Sequence, residues 1–266
     1  MIIDIHSHIL PNVDDGSENM SMSIEMARLY LQNGIHRVIG TPHYIEGSMD
    51  NSLDNNRIAL ETLRKELFRE GIDLEVFLGN EIYVSMNTST NIIENRVSTL
   101  NGSRYILLEL PMYDIPLYME NLLYELQLKG IIPIIAHPER NTKIIEDPNI
   151  LYNYIQKGAL GQLNLPSLEG RYGTKVKSTA EILLKHQMIH FVGTDAHTDR
   201  RRSPNVQKGL KVLGSLVREE DFENICYKNA ELLLEDKLIM KKPPIKYEVK
   251  RGLLGLFRRS KKVEEY

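Results

Sequence analysis

The sequence has one cysteine, Cys226, and no tryptophan. A lone thiol excludes a disulfide framework within the chain and fits a reducing compartment. No apolar run approaches the length needed to cross a bilayer. The N-terminal run Met1-Ile2-Ile3-Asp4-Ile5 has neither a basic flank nor a cleavage site. A cytoplasmic protein is therefore expected. An excess of either charge is also lacking. The 33 Lys and Arg face 36 Asp and Glu, a formal net charge of -3, which argues against a general nucleic-acid binder. Several catalytic schemes are missing as well. There is no G-x-S-x-G elbow, no H-E-x-x-H helix and no Gly-rich phosphate loop ending in Lys-Ser/Thr. A cysteine phosphatase needs a thiolate followed six positions later by arginine, and the residue six after Cys226 is Leu232. Cys226 reads instead as a core or helix residue.

What the chain does have is a regular alternation of strand-like and helix-like stretches. Residues 1–5 predict a buried strand. Residues 17–33 predict a helix, with Met20, Ile24, Ala27 and Leu31 on one stripe. Further strands are predicted at 38–40, 74–78, 105–108, 131–135, 161–164 and 189–192, with helical patterns between them. A long final helix is predicted over 219–234. Seven alternations without a linker suggest one parallel sheet with right-handed crossovers. An open doubly wound sheet fits the same alternation. The polar residues favour a barrel, because nearly every strand ends, C-terminally, in His, Glu or Asp, and barrel sites are built at that face. A single α/β domain over 1–240 is expected. The composition then changes: residues 241–266 carry nine Lys or Arg against three Glu. They predict a basic, flexible tail. Its weakly amphipathic stretch from Gly252 to Arg259 suits an acidic surface, a membrane face or a partner.

The strand ends hold the chemistry. His6 and His8 lie two apart, so a strand projects both to one side. Asp14, one loop further on, offers a hard oxygen. His43, Glu81, Glu109 and His137 follow later strands, and Asp195 and His197 follow the last. These are five histidines and four carboxylates. Nine ligands are too many for one ion; at three or four each, with one carboxylate bridging, they suit two or three. Imidazole and carboxylate without thiolate suit Mn, Fe or Zn. Paired metals make hydroxide available at neutral pH and stabilise both the entering and the leaving oxygen of a phosphate ester. Arg140 lies three residues after His137, and Arg202 ends the run Arg200-Arg201-Arg202. A guanidinium fork pairs with two phosphate oxygens, so both arginines fit the same chemistry. The other three histidines, His36, His186 and His190, sit at strand starts or helix ends and are expected to be ordinary surface residues.

The motifs D-I-H-S-H-I-L-P-N-V-D-D-G-S, T-P-H, G-N-E, L-L-E-L-P, A-H-P-E-R and G-T-D-A-H resemble the polymerase-and-histidinol-phosphatase (PHP) superfamily. More closely, they resemble the bacterial tyrosine-protein phosphatases of capsule and exopolysaccharide loci, the CpsB/CapC type. The resemblance implies a distorted (β/α)7 TIM-like barrel over the compact domain. It implies manganese, with His6, His8, Glu81 and Asp195 on one ion. Glu81 would bridge to a second, also held by Glu109 and His137. Asp14, His43 and His197 would hold a third. Arg140 and Arg202 would contact phosphate. In-line attack on phosphorus would need no covalent enzyme intermediate, and His43 or His197 could supply a proton. The implied substrate is an autophosphorylated, membrane-tethered bacterial tyrosine kinase. The basic tail would then hold the phosphatase near an anionic membrane or an acidic phosphorylated segment.

Three other readings fit parts of the pattern. A small-molecule phosphatase such as a histidinol-phosphate phosphatase would share the chemistry. A metal-dependent amidohydrolase also uses H-x-H on a barrel strand, but Glu81, Glu109 and the arginines argue against it. A catalytically idle regulator of the kinase would not need the full ligand set. Oligomeric state is not legible in the sequence.

Overall fold

The computed structural model describes residues 2–248. Strands β1 (Ile2–Ser7), β2 (Ile35–Gly40) and β4 (Glu75–Leu78) form one sheet in the order β1-β2-β4. Strands β3 (His43–Tyr44), β5 (Glu81–Tyr83), β6 (Tyr105–Glu109), β7 (Ile132–Ala136), β8 (Leu160–Asn164) and β9 (Phe191–Gly193) form the other, in that order. All these neighbours pair in parallel. The last strand returns to the first. Asp195 N–H donates to the His6 carbonyl and His8 N–H to the Ala196 carbonyl, both at 2.9 Å. The parallel sheet is therefore curled, with its outer strands side by side.

Two interruptions shape the mouth. The strand courses predicted at 38–40 and 74–78 continue after a break, at Thr41-Pro42 and at Gly79-Asn80, into β3 and β5. Proline has no N–H for the ladder. The Pro42 carbonyl accepts instead from Glu81 N–H at 3.1 Å and from Asn80 Nδ2 at 2.9 Å. That exchange brings His43 and Glu81 level as paired residues of β3 and β5.

Burial explains the rest. Every residue of β1 and β8 is buried, as expected for strands covered on both faces. One apolar cluster is built mainly from strand residues, among them Ile3, Ile5, Leu107, Ile134 and Phe191. A larger one joins the strands to the helices through Tyr30, Leu63, Leu126 and Leu183. The helix expected over 219–234 is divided into Glu219–Glu223, a wide π-helical turn at Asn224–Lys228, and Asn229–Leu234. Cys226 is buried in that turn.

The first residues of the expected tail lie against the domain. Residues 241–248 are not free of the domain. Lys241 Nζ donates to the carbonyls of Ile155 and Ala159, and Ile245 N–H donates to the His186 carbonyl at 2.8 Å. Tyr247 exchanges hydrogen bonds with Asn149 and packs edge-on against His186. These contacts hold the segment as a strap. The stretch from Gly252 to Arg259 lies outside the described residues. Among the described residues, no helix is long and apolar enough to cross a membrane.

Candidate active site

The C-terminal strand ends converge. The ring centroids of His8 and His197 lie 3.8 Å apart, those of His8 and His43 4.6 Å, and those of His6 and His137 5.6 Å. Glu81 is the hub. Its Oε2 lies 3.1 Å from His6 Nε2, 3.2 Å from His8 Nε2 and 3.2 Å from His43 Nδ1, and its Oε1 lies 2.8 Å from His137 Nε2. Glu109 stands at the edge of this group, 3.7 Å from both His43 and His137. Asp195 faces His6 and His8 from the other side, at 3.7 and 3.5 Å. Of the nine expected ligands, eight point into one shared space.

The ninth, Asp14, is placed differently. Its Oδ2 accepts from His8 Nδ1 at 2.6 Å and from His43 N–H at 3.0 Å, and its Oδ1 accepts from Gly16 N–H at 2.9 Å. Its oxygens are thus committed to holding the loop and the His8 ring. Asp15 takes the outward position: its Oδ1 lies 3.5 Å from Nε2 of both His43 and His197. The sequence D-D-G offers two adjacent carboxylates, and only the turn geometry selects between them. Gly16 is needed in that turn, since a Cβ there would sit 2.4 Å from His8 Cβ and from the His8 carbonyl oxygen.

Two further residues went unassigned in the sequence although their strand end, 161–164, was recognised. Gln162 Oε1 accepts from His6 Nδ1 at 2.9 Å, which turns His6 Nε2 toward Glu81. Asn164 Nδ2 donates to Asp195 Oδ2 at 2.7 Å. Such partners fix ring orientation and carboxylate rotamer. His137 and Asp195 both have a left-handed backbone, φ 30° and φ 50°. Strain of this kind in non-glycine residues clusters at functional sites.

Both expected arginines are present. Arg140 Nη1 donates to Asp195 Oδ2 at 2.9 Å, and Arg202 Nη2 to Asp195 Oδ1 at 2.8 Å. The Arg140 guanidinium also lies over the Tyr172 ring, 4.6 Å from its centroid. No signal in the sequence singled out Tyr172.

Electrostatics sort these groups. Burial raises the pKa of Glu81, but His6 and His43 outweigh it and hold the carboxyl well below its usual range. Burial and the neighbouring Glu81 charge push Glu109 up. Burial disfavours charge on His8, yet Asp14 and Glu81 more than compensate and raise it well above the ordinary value. Burial lowers His43 and His137, and burial with the His8 charge lowers His197 to about 4.

The donor set fits divalent cations. His43 Nδ1, His197 Nε2 and Glu81 Oε2 are buried polar atoms without a hydrogen-bond partner, and such orphans are costly unless something else satisfies them. Three groupings place their ligand atoms within reach of a common ion: His6 with His8 and Glu81; His43 with Glu81 and Glu109; and His8 with Asp15, His43 and His197.

A curled parallel α/β sheet with its polar residues gathered at the C-terminal mouth defines the class of α/β proteins that build their sites on the βα loops. Within it, the chain belongs to the capsular polysaccharide synthesis CpsB/CapC family, whose model matches residues 2–235. It is 41% identical over 256 residues to the tyrosine-protein phosphatase YwqE of Bacillus subtilis strain 168, covering 96% of this chain and 100% of YwqE. It is 31% identical over 255 residues to the putative tyrosine-protein phosphatase CapC of Staphylococcus aureus, with coverage of 96% and 100%. A solved structure from a crystallographic study of YwqE and of CpsB from Streptococcus pneumoniae, described as metal-dependent tyrosine phosphatases, superposes with a TM-score of 0.89. It is 40% identical and the match covers 93% of this chain and 100% of that one.

Proposed function

We propose that this protein is a metal-dependent phosphatase that removes phosphate from phosphotyrosine in protein. One observation carries this most directly: a buried cluster of imidazoles and carboxylates with unpartnered donor atoms opens beside two arginines. The names of its relatives support the same reading. The strand courses fit a distorted (β/α)7 barrel, β3 and β5 being continuations of β2 and β4. His6, His8, Glu81 and Asp195 would hold one ion, Glu81, Glu109 and His137 a second, and Asp15, His43 and His197 a third. We favour Mn over Fe or Zn by resemblance to the family.

Ions bound there would supply a nucleophile from water at neutral pH and positive charge for the phosphate. The chain's own part is positioning. Arg140 and Arg202 bring two guanidiniums to the mouth, where forked donors match phosphate oxygens. Asp195 aligns both. His43 and His197 stay neutral at neutral pH, which suits ligation and makes them poor proton donors. The leaving tyrosine phenolate, with a conjugate-acid pKa of about 10, places a small demand on an acid. The substrate would be an autophosphorylated tyrosine kinase of a capsule or exopolysaccharide locus, met in the cytoplasm, with the basic tail as a membrane-side contact.

The test is hydrolysis of a phosphotyrosyl kinase-tail peptide against histidinol phosphate, with and without added Mn. Mn-dependent, chelator-sensitive turnover of the peptide is expected. Preference for histidinol phosphate would move the assignment to a small-molecule phosphatase. No turnover with metal bound would leave the regulatory role.

A further inference from the structure

His190 was expected on the surface, yet it is only 5% exposed. It immediately precedes β9, at the end of that strand remote from Asp195. Its Nδ1 accepts from Gly161 N–H at 3.1 Å. The proton of the neutral ring is thereby placed on Nε2. The ring lines a cavity of about 350 Å³. Four cationic side chains, Lys185, Arg218, Lys241 and Lys242, share that cavity with two acidic ones, Glu220 and Asp221. Asp221 binds both Lys242 and Arg218, which holds the two cations side by side; Glu220 lies 3.5 Å from Lys242 and Glu181 3.8 Å from Lys185, so the four cations face three carboxylates. Lys241 Nζ spends two of its three donors on the carbonyls of Ile155 and Ala159. The rest of the lining is mixed: Leu216, Ile225 and Met240 are apolar, and Gln187, Asn224 and Asn229 are polar. The volume lies within the range of small-ligand sites, and the largely polar lining suits a charged ligand over an apolar one.

We propose that this cavity binds a phosphoryl group, from either a free phosphate compound or a phospholipid headgroup, through the Nε2–H of His190 together with Lys241 and Lys242. A neutral, buried donor and an excess of cations favour an oxyanion over a cation or an uncharged ligand. The strap over Lys241 and Lys242 forms one wall, so the site depends on the chain beyond the final helix. It is separate from the metal cluster and stands whether or not the phosphatase reading holds.

The experiment uses the full chain with nitrogen-15-labelled histidine. The His190 Nε2–H resonance is followed during titration with inorganic phosphate and, separately, with phosphatidylglycerol vesicles. A saturable shift with either probe is expected. Lys242→Ala should weaken it about tenfold, the loss typical of one charged hydrogen bond, and Lys242→Arg should restore it. A response to inorganic phosphate assigns a soluble ligand, and a response to vesicles alone assigns a headgroup. No shift with either probe, or a shift unchanged in Lys242→Ala, overturns the proposal.

Discussion

His8 donates from Nδ1 to Asp14 across 2.6 Å and presents Nε2 to Glu81 at 3.2 Å. Asp14 therefore acts through His8, whereas Asp15 faces the open space between His43 and His197. The two neighbours should fail differently. Asp14→Asn should weaken metal affinity by about 10–100-fold, as loss of an orienting partner does, while the full complement of ions returns at saturating metal. Asp15→Ala should lose one ion for good. Metal content after dialysis at graded Mn decides it. An ion lost in Asp14→Asn and kept in Asp15→Ala would reverse the assignment.

Metal binding should release protons. His8 and Glu109 both have raised pKa values in the metal-free fold, so both tend to hold protons near neutral pH. A cation needs them deprotonated. Affinity should therefore rise with pH through the neutral range. Calorimetric titration in two buffers of different ionisation enthalpy measures the protons displaced. Equal heats in both buffers, with affinity flat in pH, would contradict the predicted protonation of the empty cluster.

Arg140→Lys and Arg202→Lys replace a fork with a point charge. Each should lower kcat/KM on an aryl phosphate by roughly tenfold to hundredfold, equal to about 1.5–3 kcal/mol. Metal content should be unchanged. Tyr172→Leu, which removes the ring under Arg140, should have a smaller effect in the same direction. Unchanged turnover in the lysine variants would reduce both arginines to supports for Asp195.

The alternation of strands and helices was legible because strands covered on both faces read as apolar runs. The histidines and carboxylates that gather at the mouth were legible as a group because they follow those runs. The role of Asp15 was hidden because one turn decides which of two adjacent aspartates faces His43 and His197. The π-helical turn at Asn224–Lys228 was hidden because its sequence keeps helical periodicity. Gln162, Asn164 and Tyr172 were hidden because they act through His6, Asp195 and Arg140, and such pairings are tertiary. His190 was hidden because its neighbours Gly161 and Lys241 come from distant parts of the chain.

The strap predicts a sharp difference between two truncations. Ending the chain after residue 248 keeps the contacts of Lys241, Ile245 and Tyr247. Its thermal midpoint and small-substrate turnover should match the full chain. Ending it at 240 removes those contacts, of which the two from the Lys241 ammonium alone are worth about 1.5–3 kcal/mol each. At about 2–4 °C per kcal/mol for a chain of this size, the midpoint should fall by several degrees or more. Equal midpoints for the two truncations would mean the strap adds nothing to stability.

His190 should also make stability sensitive to acid. Burial and the Lys241 charge lower its pKa to about 3, against 6.5 for a free imidazole. Between those values the unfolded chain takes up a proton that the folded chain refuses. Stability contributed by keeping the ring neutral is therefore complete above pH 6.5, falls as the pH drops toward 3, and is constant below that. The slope reaches about 1.4 kcal/mol per pH unit. His190→Asn keeps an acceptor for Gly161 N–H and removes the titration. Its cavity lowers stability by a fixed amount at every pH, so the comparison is of slopes. Urea unfolding with chelator present, at pH 6.5 and at pH 4.5, should show the native chain losing on the order of 2–3 kcal/mol more than the variant. Parallel losses would mean that the folded protein accommodates a charged His190, and that the ring is less enclosed than its 5% exposure implies.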